Sequence, residues 1–220
     1  MSTRPAADAL YPFLTATPRD PDALLQDVRR STQAKAREIV ALRERLRVEL
    51  ADALRSAAVR LAEAVAAGGR VFAFGNGGSA TDAQAVAALF ACPPRGRPVP
   101  ALALPADVAT VTALANDVGF DVVYARQLAA LAAPGDVAVA LSTSGSSGNV
   151  IRALEEARRR GILTIGLAGY DGGRMAESGL VDHLLVVPST SVHRIQEAQT
   201  TIYQVLWELM QAALAGRSLR

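Results

Sequence analysis

The stretch that most constrains this chain runs from Ala138 to Ala157. It continues the apolar run Val137-Ala138-Val139-Ala140-Leu141, which is short enough for a buried strand. Ser142, Thr143, Ser144, Ser146 and Ser147 follow, interleaved with Gly145 and Gly148. From Asn149, an expected N-cap, a helical pattern puts Val150, Leu154 and Ala157 on one face. Strand, hydroxyl-rich turn and helix N-terminus in succession bring together hydroxyls, free backbone N–H groups and the positive end of a helix. That combination attracts an anion, and phosphate is the obvious one. No Lys or Arg stands in the turn, so binding is expected to rely on dipoles and hydroxyls. The alternative is a Ser-rich linker, but linkers are not usually flanked so tightly by a buried strand and an amphipathic helix. The spacing also differs from the GxxxxGK[ST] phosphate loop of nucleotide hydrolases.

A second turn of related design lies upstream. Arg70 to Phe74 reads as a strand, followed by GNGGSATDAQAVAALF from Gly75 to Phe90. The glycines permit a sharp turn and a close approach to a ligand. Ser79 is expected to cap the following helix, with Asp82 as its capping-box partner. Further strands are expected at Pro98–Leu104, Leu163–Leu167 and His183–Val187. Helices are expected at Asp107–Leu114, Tyr124–Ala133, Arg174–Ser178 and about Arg194–Leu214, with turns at Asn116–Gly119 and Tyr170–Gly173. This alternation predicts an α/β fold, a parallel sheet covered on both faces. Ligands of such sheets bind beyond the carboxyl ends of the strands, where both turns lie.

Residues 1–21 carry Pro5, Pro12, Pro18 and Pro21 and read as an irregular arm, leaving 22–220 as one domain with long N-terminal helices. From Asp22 to Ala67 there is no Gly or Pro, and Leu42, Leu46, Leu50, Leu54, Leu61 and Val65 recur at helical spacing. This is one long helix or two consecutive ones, closed by Gly68-Gly69. Arg29, Arg30, Arg43, Arg45 and Arg47 are expected on solvated faces. The chain is 50% hydrophobic with a net charge of only +2, which supports a sizeable core and argues against a nucleic-acid partner. The single cysteine, Cys92, cannot form an internal disulfide and fits a cytoplasmic location, and a small packing role is expected for it. No apolar run reaches membrane-span length, so no membrane association is expected.

The motifs GNGGSATDAQ, ANDVGF, STSGSSGNV, AGYDGGRMAE and RIQE stand in the order found in bacterial phosphoheptose isomerases. Over roughly residues 30–215 the chain resembles these members of the sugar isomerase (SIS) domain family. The resemblance implies a flavodoxin-like strand order and a homotetramer with sugar-phosphate sites between subunits. Carried over residue by residue, Ser142, Thr143, Ser144 and Ser147 match the family's phosphate loop. Asn76, Gly77 and Ser79 match the loop lining the sugar site, and Asp117 an acidic residue near the substrate. Gln196 matches a polar residue that helps hold zinc in some members.

The departures from the family pattern bear on function. Where the isomerases carry His and Glu on the helix after GNGGS, this chain has Ala85 and Leu89. The His two turns after the RIQE glutamine is Gln204, and an acidic residue before RIQE is His193. Aldose–ketose isomerisation moves a proton between adjacent carbons and needs acid/base groups. Ala85 and Leu89 supply none, and amides are weak zinc ligands, so no metal or other cofactor is expected. The remaining candidates for catalysis are Asp117, His193 and Glu197, each with an ordinary polar or structural role as the simpler reading; His183 is expected to be structural. The first expectation is therefore a phosphosugar-binding or regulatory protein without ordinary isomerase activity. Protein contacts are open to it, as in a replication-initiator-associating member of the family. The second is an active sugar-phosphate isomerase with a rearranged acid/base set. A transcriptional regulator is third, because no helix-turn-helix precedes the SIS part.

Overall fold

The five strands form one parallel sheet in the order β2-β1-β3-β4-β5. They are β1 (Val71–Phe74), β2 (Ala101–Ala103), β3 (Val137–Ser142), β4 (Leu163–Gly169) and β5 (His183–Val187). The computed structural model describes residues 21–219, so nearly all of the expected N-terminal arm lies outside the described residues. The helices are α1 (Pro21–Glu49), α2 (Ala51–Ala66), α3 (Gly78–Ala91), α4 (Val108–Asp117), α5 (Val123–Leu131), α6 (Gly148–Arg159), α7 (Gly173–Glu177) and α8 (Val192–Leu214). The chain divides into two units between Ala41 and Leu42, and α1 runs across that division. The sheet and the candidate site lie in the second unit.

The long Gly- and Pro-free stretch is two helices, not one: the first ends at Glu49 and the second begins at Ala51. The second closes at Gly68, whose φ of +94° suits a residue without Cβ, while Gly69 N–H returns to the Ala64 carbonyl at 2.9 Å. The arginines of α1 are exposed, as expected, with Arg45 bonded to Glu49 and Arg47 to Glu44 along the helix.

β1, β3 and almost all of β4 are buried, which explains their unbroken apolar runs. Alternation along the strands divides their side chains between two layers. Phe72, Phe74, Ala138, Ala140 and Ala168 pack with Val123, Leu128, Val150, Leu154 and Ala157 of α5 and α6. The opposite layer holds α2, α3 and α8, which contact one another or the sheet. Cys92 corrects the sequence reading: it caps the end of α3 and is exposed, because the Pro93-Pro94 pair carries the chain away from the core there.

Candidate functional site

β1 and β3 are neighbours in the middle of the sheet, with Phe74 paired to Ala140. From β1 the chain goes on to β2 on one side, and from β3 to β4 on the other. Connections that diverge in this way leave a crevice beyond the carboxyl ends of the two strands. The Gly-rich turn follows β1 and the Ser-rich turn follows β3, so both border that crevice.

In the Ser-rich turn, Ser142 ends β3 and is buried. Its Oγ lies 3.1 Å from Ser147 Oγ and 3.4 Å from Ser144 Oγ. Ser144 Oγ also accepts the Ser146 N–H at 3.2 Å. The outer side of the turn is fastened to the segment after β4: Gly169 N–H bonds Thr143 O at 3.0 Å, Met175 N–H bonds Gly145 O at 2.9 Å, and Arg174 N–H bonds Ser146 Oγ at 3.1 Å. Gly145 has φ +64°, and a Cβ there would stand 2.0 Å from the Gly172 carbonyl oxygen, so only glycine fits.

Helix α6 has its N-cap two residues earlier than the sequence suggests, at Ser147. Asn149, expected to cap, is inside the first turn and buried. No side chain caps this helix, because Ser147 Oγ pairs with Ser142 Oγ instead. Uncapped first-turn N–H groups beside three hydroxyls can accept an anion's oxygens.

The Gly-rich turn also departs from the expected capping. Gly77, at φ +56°, is the N-cap of α3, and Ser79 lies buried in the first turn without capping it. Asp82 therefore closes no capping box; burial pushes its carboxyl up from the usual range. Gln196 of α8 lies against this turn, close enough that a Cβ on Gly78 would stand 1.9 Å from its Nε2.

The two turns are joined through Asn76 by two side chains, Asn149 and Tyr124, that sequence reasoning did not place in the site. Asn76 Nδ2 donates to Asn149 Oδ1 at 2.8 Å, and Asn149 Nδ2 donates to Asn76 Oδ1 at 2.9 Å. The Tyr124 hydroxyl, from α5, lies 2.6 Å from Gly75 O and 3.1 Å from Asn76 Oδ1. Burial pushes its pKa up to about 12, so it remains a donor. The usable signal for Tyr124 was a tyrosine at an apolar helix position, since a buried hydroxyl needs a partner.

Comparison with known proteins agrees with this fold. Residues 36–169 match the model of the SIS domain. The chain belongs to the SIS domain family. It is 44% identical over 160 residues to the phosphoheptose isomerase of Aquifex aeolicus, covering 72% of this chain and 83% of that protein. It is 47% identical over 179 residues to that of Desulfovibrio desulfuricans, covering 80% and 84%. Among solved structures, the phosphoheptose isomerase of Neisseria gonorrhoeae aligns with a TM-score of 0.79 at 35% identity, over 84% of this chain and 99% of that one. This SIS chain is thus phosphoheptose isomerase-like in sequence and in fold.

The remaining candidates lie differently. Asp117 ends α4, one turn of chain later than a loop reading implies, and is exposed, accepting a bond from Asn116 at 2.8 Å. His193 is exposed in the first turn of α8. Among the described residues, no hydrogen bond or ion pair ties Asp117 or His193 to either turn. Glu197 pairs with Arg194 at 2.5 Å, and its carbonyl accepts from Arg43 at 3.1 Å, which is a structural role. Ala85 and Leu89, four residues apart, share one side of α3. Gln204 is exposed on α8. A methyl group, an isobutyl group and the amides of Gln196 and Gln204 are a poor donor set for zinc. Among the described residues no group of three or more His, Cys, Asp or Glu converges. The positions corresponding to the family's zinc ligands do not fit that ion.

Proposed function

We propose that this chain binds a sugar phosphate in the crevice between β1 and β3 and does not perform ordinary phosphoheptose isomerisation. The phosphate would sit at Ser142, Thr143, Ser144 and Ser147, and the sugar toward Asn76, Gly77, Ser79 and Gln196. The observation that carries this reading is the hydroxyl cluster of Ser142, Ser144 and Ser147 beside the uncapped N-terminus of α6. Loss of turnover is supported by Ala85, Leu89 and Gln204, which cannot shuttle a proton. Each missing acid/base group typically costs about 10²- to 10⁴-fold. Asp117 remains a proposed sugar contact that would require a shift of α4 or a neighbouring subunit.

A second reading, an active isomerase using Asp117, His193 or Glu197, draws its support from the 44–47% identity to phosphoheptose isomerases. Calorimetric titration with sedoheptulose 7-phosphate, beside an isomerase assay with and without zinc, separates the two. Binding without turnover is expected, and turnover gained by A85H/L89E/Q204H would strengthen the case. Turnover by the native chain near that of ordinary family enzymes would replace the first reading with the second.

A homotetramer is part of the proposal. It is supported by the apolar groove of about 560 Å³ lined by Leu46, Leu50, Leu54, Ile202, Val205 and Leu209, a surface that a second copy of the chain could cover. A cytoplasmic location is proposed from the absence of a possible internal disulfide. No described helix is long and apolar enough to cross a membrane.

A further inference from the structure

We infer that Asn149 and Tyr124 are positioning residues that hold Asn76 in one orientation and so join the Gly-rich and Ser-rich turns into a single preformed site. The inference rests on the phosphosugar reading above and extends it to residues that touch no ligand. The Asn76–Asn149 pair is closed: each amide gives one N–H and takes one, so neither rotates without breaking both bonds. Asn149 is 2% exposed and lies in the first turn of α6, beside the proposed phosphate position. Its amide therefore fixes that helix end relative to β1's turn. Tyr124 fixes the same turn from the other direction. Its ring packs on Phe74 at 5.6 Å between centroids, and its hydroxyl reaches both the carbonyl preceding Asn76 and the Asn76 side chain.

The pairing also selects the ligand chemistry. Each amide keeps one N–H outside the pair. Asn149 is buried, while Asn76 is partly exposed, so the Asn76 N–H is the one a ligand oxygen can reach. The geometry suits an oxygen acceptor, a hydroxyl or carbonyl of the sugar, carried on the same molecule as a phosphate.

The test uses the full chain and calorimetric titration with sedoheptulose 7-phosphate and, separately, inorganic phosphate. N149A is expected to weaken sugar-phosphate binding about tenfold and inorganic phosphate less than threefold. In an N76A background the N149A change should add less than twofold, because its effect passes through Asn76. Y124F, which keeps the ring packing, should weaken sugar phosphate about three- to fivefold and carries the test alone if N149A does not fold. Wild-type affinity in Y124F and N149A, equal losses for both ligands, or additive losses in the double variant would overturn the inference. If the unaltered chain binds neither ligand, the phosphosugar reading itself fails, and that result is distinct from unchanged variants of a chain that does bind.

Discussion

The two ends of the sheet treat polar groups in opposite ways. Where the strands begin, polar side chains are fully engaged by the protein. Asp136, just before β3, accepts Arg70 N–H at 2.8 Å, Arg70 Nη2 at 2.7 Å and Ala133 N–H at 2.8 Å. Thr164, near the start of β4, has both N and Oγ1 2.9 Å from Asp182 Oδ2, ahead of β5. Where β1 and β3 end, Ser142, Ser144 and Ser147 bond chiefly to one another, and the adjacent helix carries no cap. Hydroxyls exchange such mutual bonds for a ligand's oxygens at little cost, whereas a buried carboxylate cannot lose its guanidinium cheaply. One end holds the sheet together; the other is the proposed phosphate site.

That contrast can be broken most forcefully at Asp136. Its side chain is only 5% exposed, so D136A leaves Arg70 and two backbone N–H groups without their acceptor. A stability loss of about 3 kcal/mol in urea unfolding is expected, toward the lower end for a broken buried pair because Arg70 is partly exposed. Sugar-phosphate affinity should stay within twofold; a larger fall would show that the two ends are not separate in function.

Changing Ser142, Thr143 and Ser144 together to alanine should do the reverse. Binding of sugar phosphate is expected to weaken at least tenfold, about 1.4 kcal/mol. Thermal unfolding should register less than about 1 kcal/mol, because the lost bonds are mutual hydroxyl contacts and one from the exposed Ser146 N–H, which water can replace. Unchanged affinity in a folded triple variant would reject the phosphate placement.

The smallest expected effect is in acid. Burial pushes the Asp136 carboxyl up, but the Arg70 side chain and the N–H groups of Ala133 and Arg70 outweigh it and hold the group below its ordinary range. A carboxyl depressed in the folded state contributes fully above its unfolded pKa of about 3.9, and that contribution is lost as pH falls through the folded value. Urea titrations from pH 5 downward should therefore show a steeper loss below about pH 4 for the native chain than for D136N. Equal slopes would mean that Asp136 carries no linked proton.

How far the candidate site was legible follows from the range of each interaction. The hydroxyl-rich turn could be read because strand, turn and helix are contiguous from Val137 to Ala157. Asn149 could be read only as a local cap, since its partner Asn76 is 73 residues away in sequence. Ser79 was misread for a related reason: GNGGS lets Gly77 take the N-cap geometry at positive φ, so the helix starts earlier and draws the serine inside.

The sequence by itself determined the alternation of strands and helices, the five strands, and the position of both turns at carboxyl ends. Apolar runs, helical periodicity and glycine breakers act within a few residues, so they need no knowledge of the fold. Only the tertiary structure decided which amide meets which, that Tyr124 pins the Gly-rich turn, and that the long N-terminal stretch is two helices separated at Leu50. The first two outcomes depend on β1 lying beside β3, an arrangement in which both faces of the sheet are buried at once. No local stretch of chain carries that information.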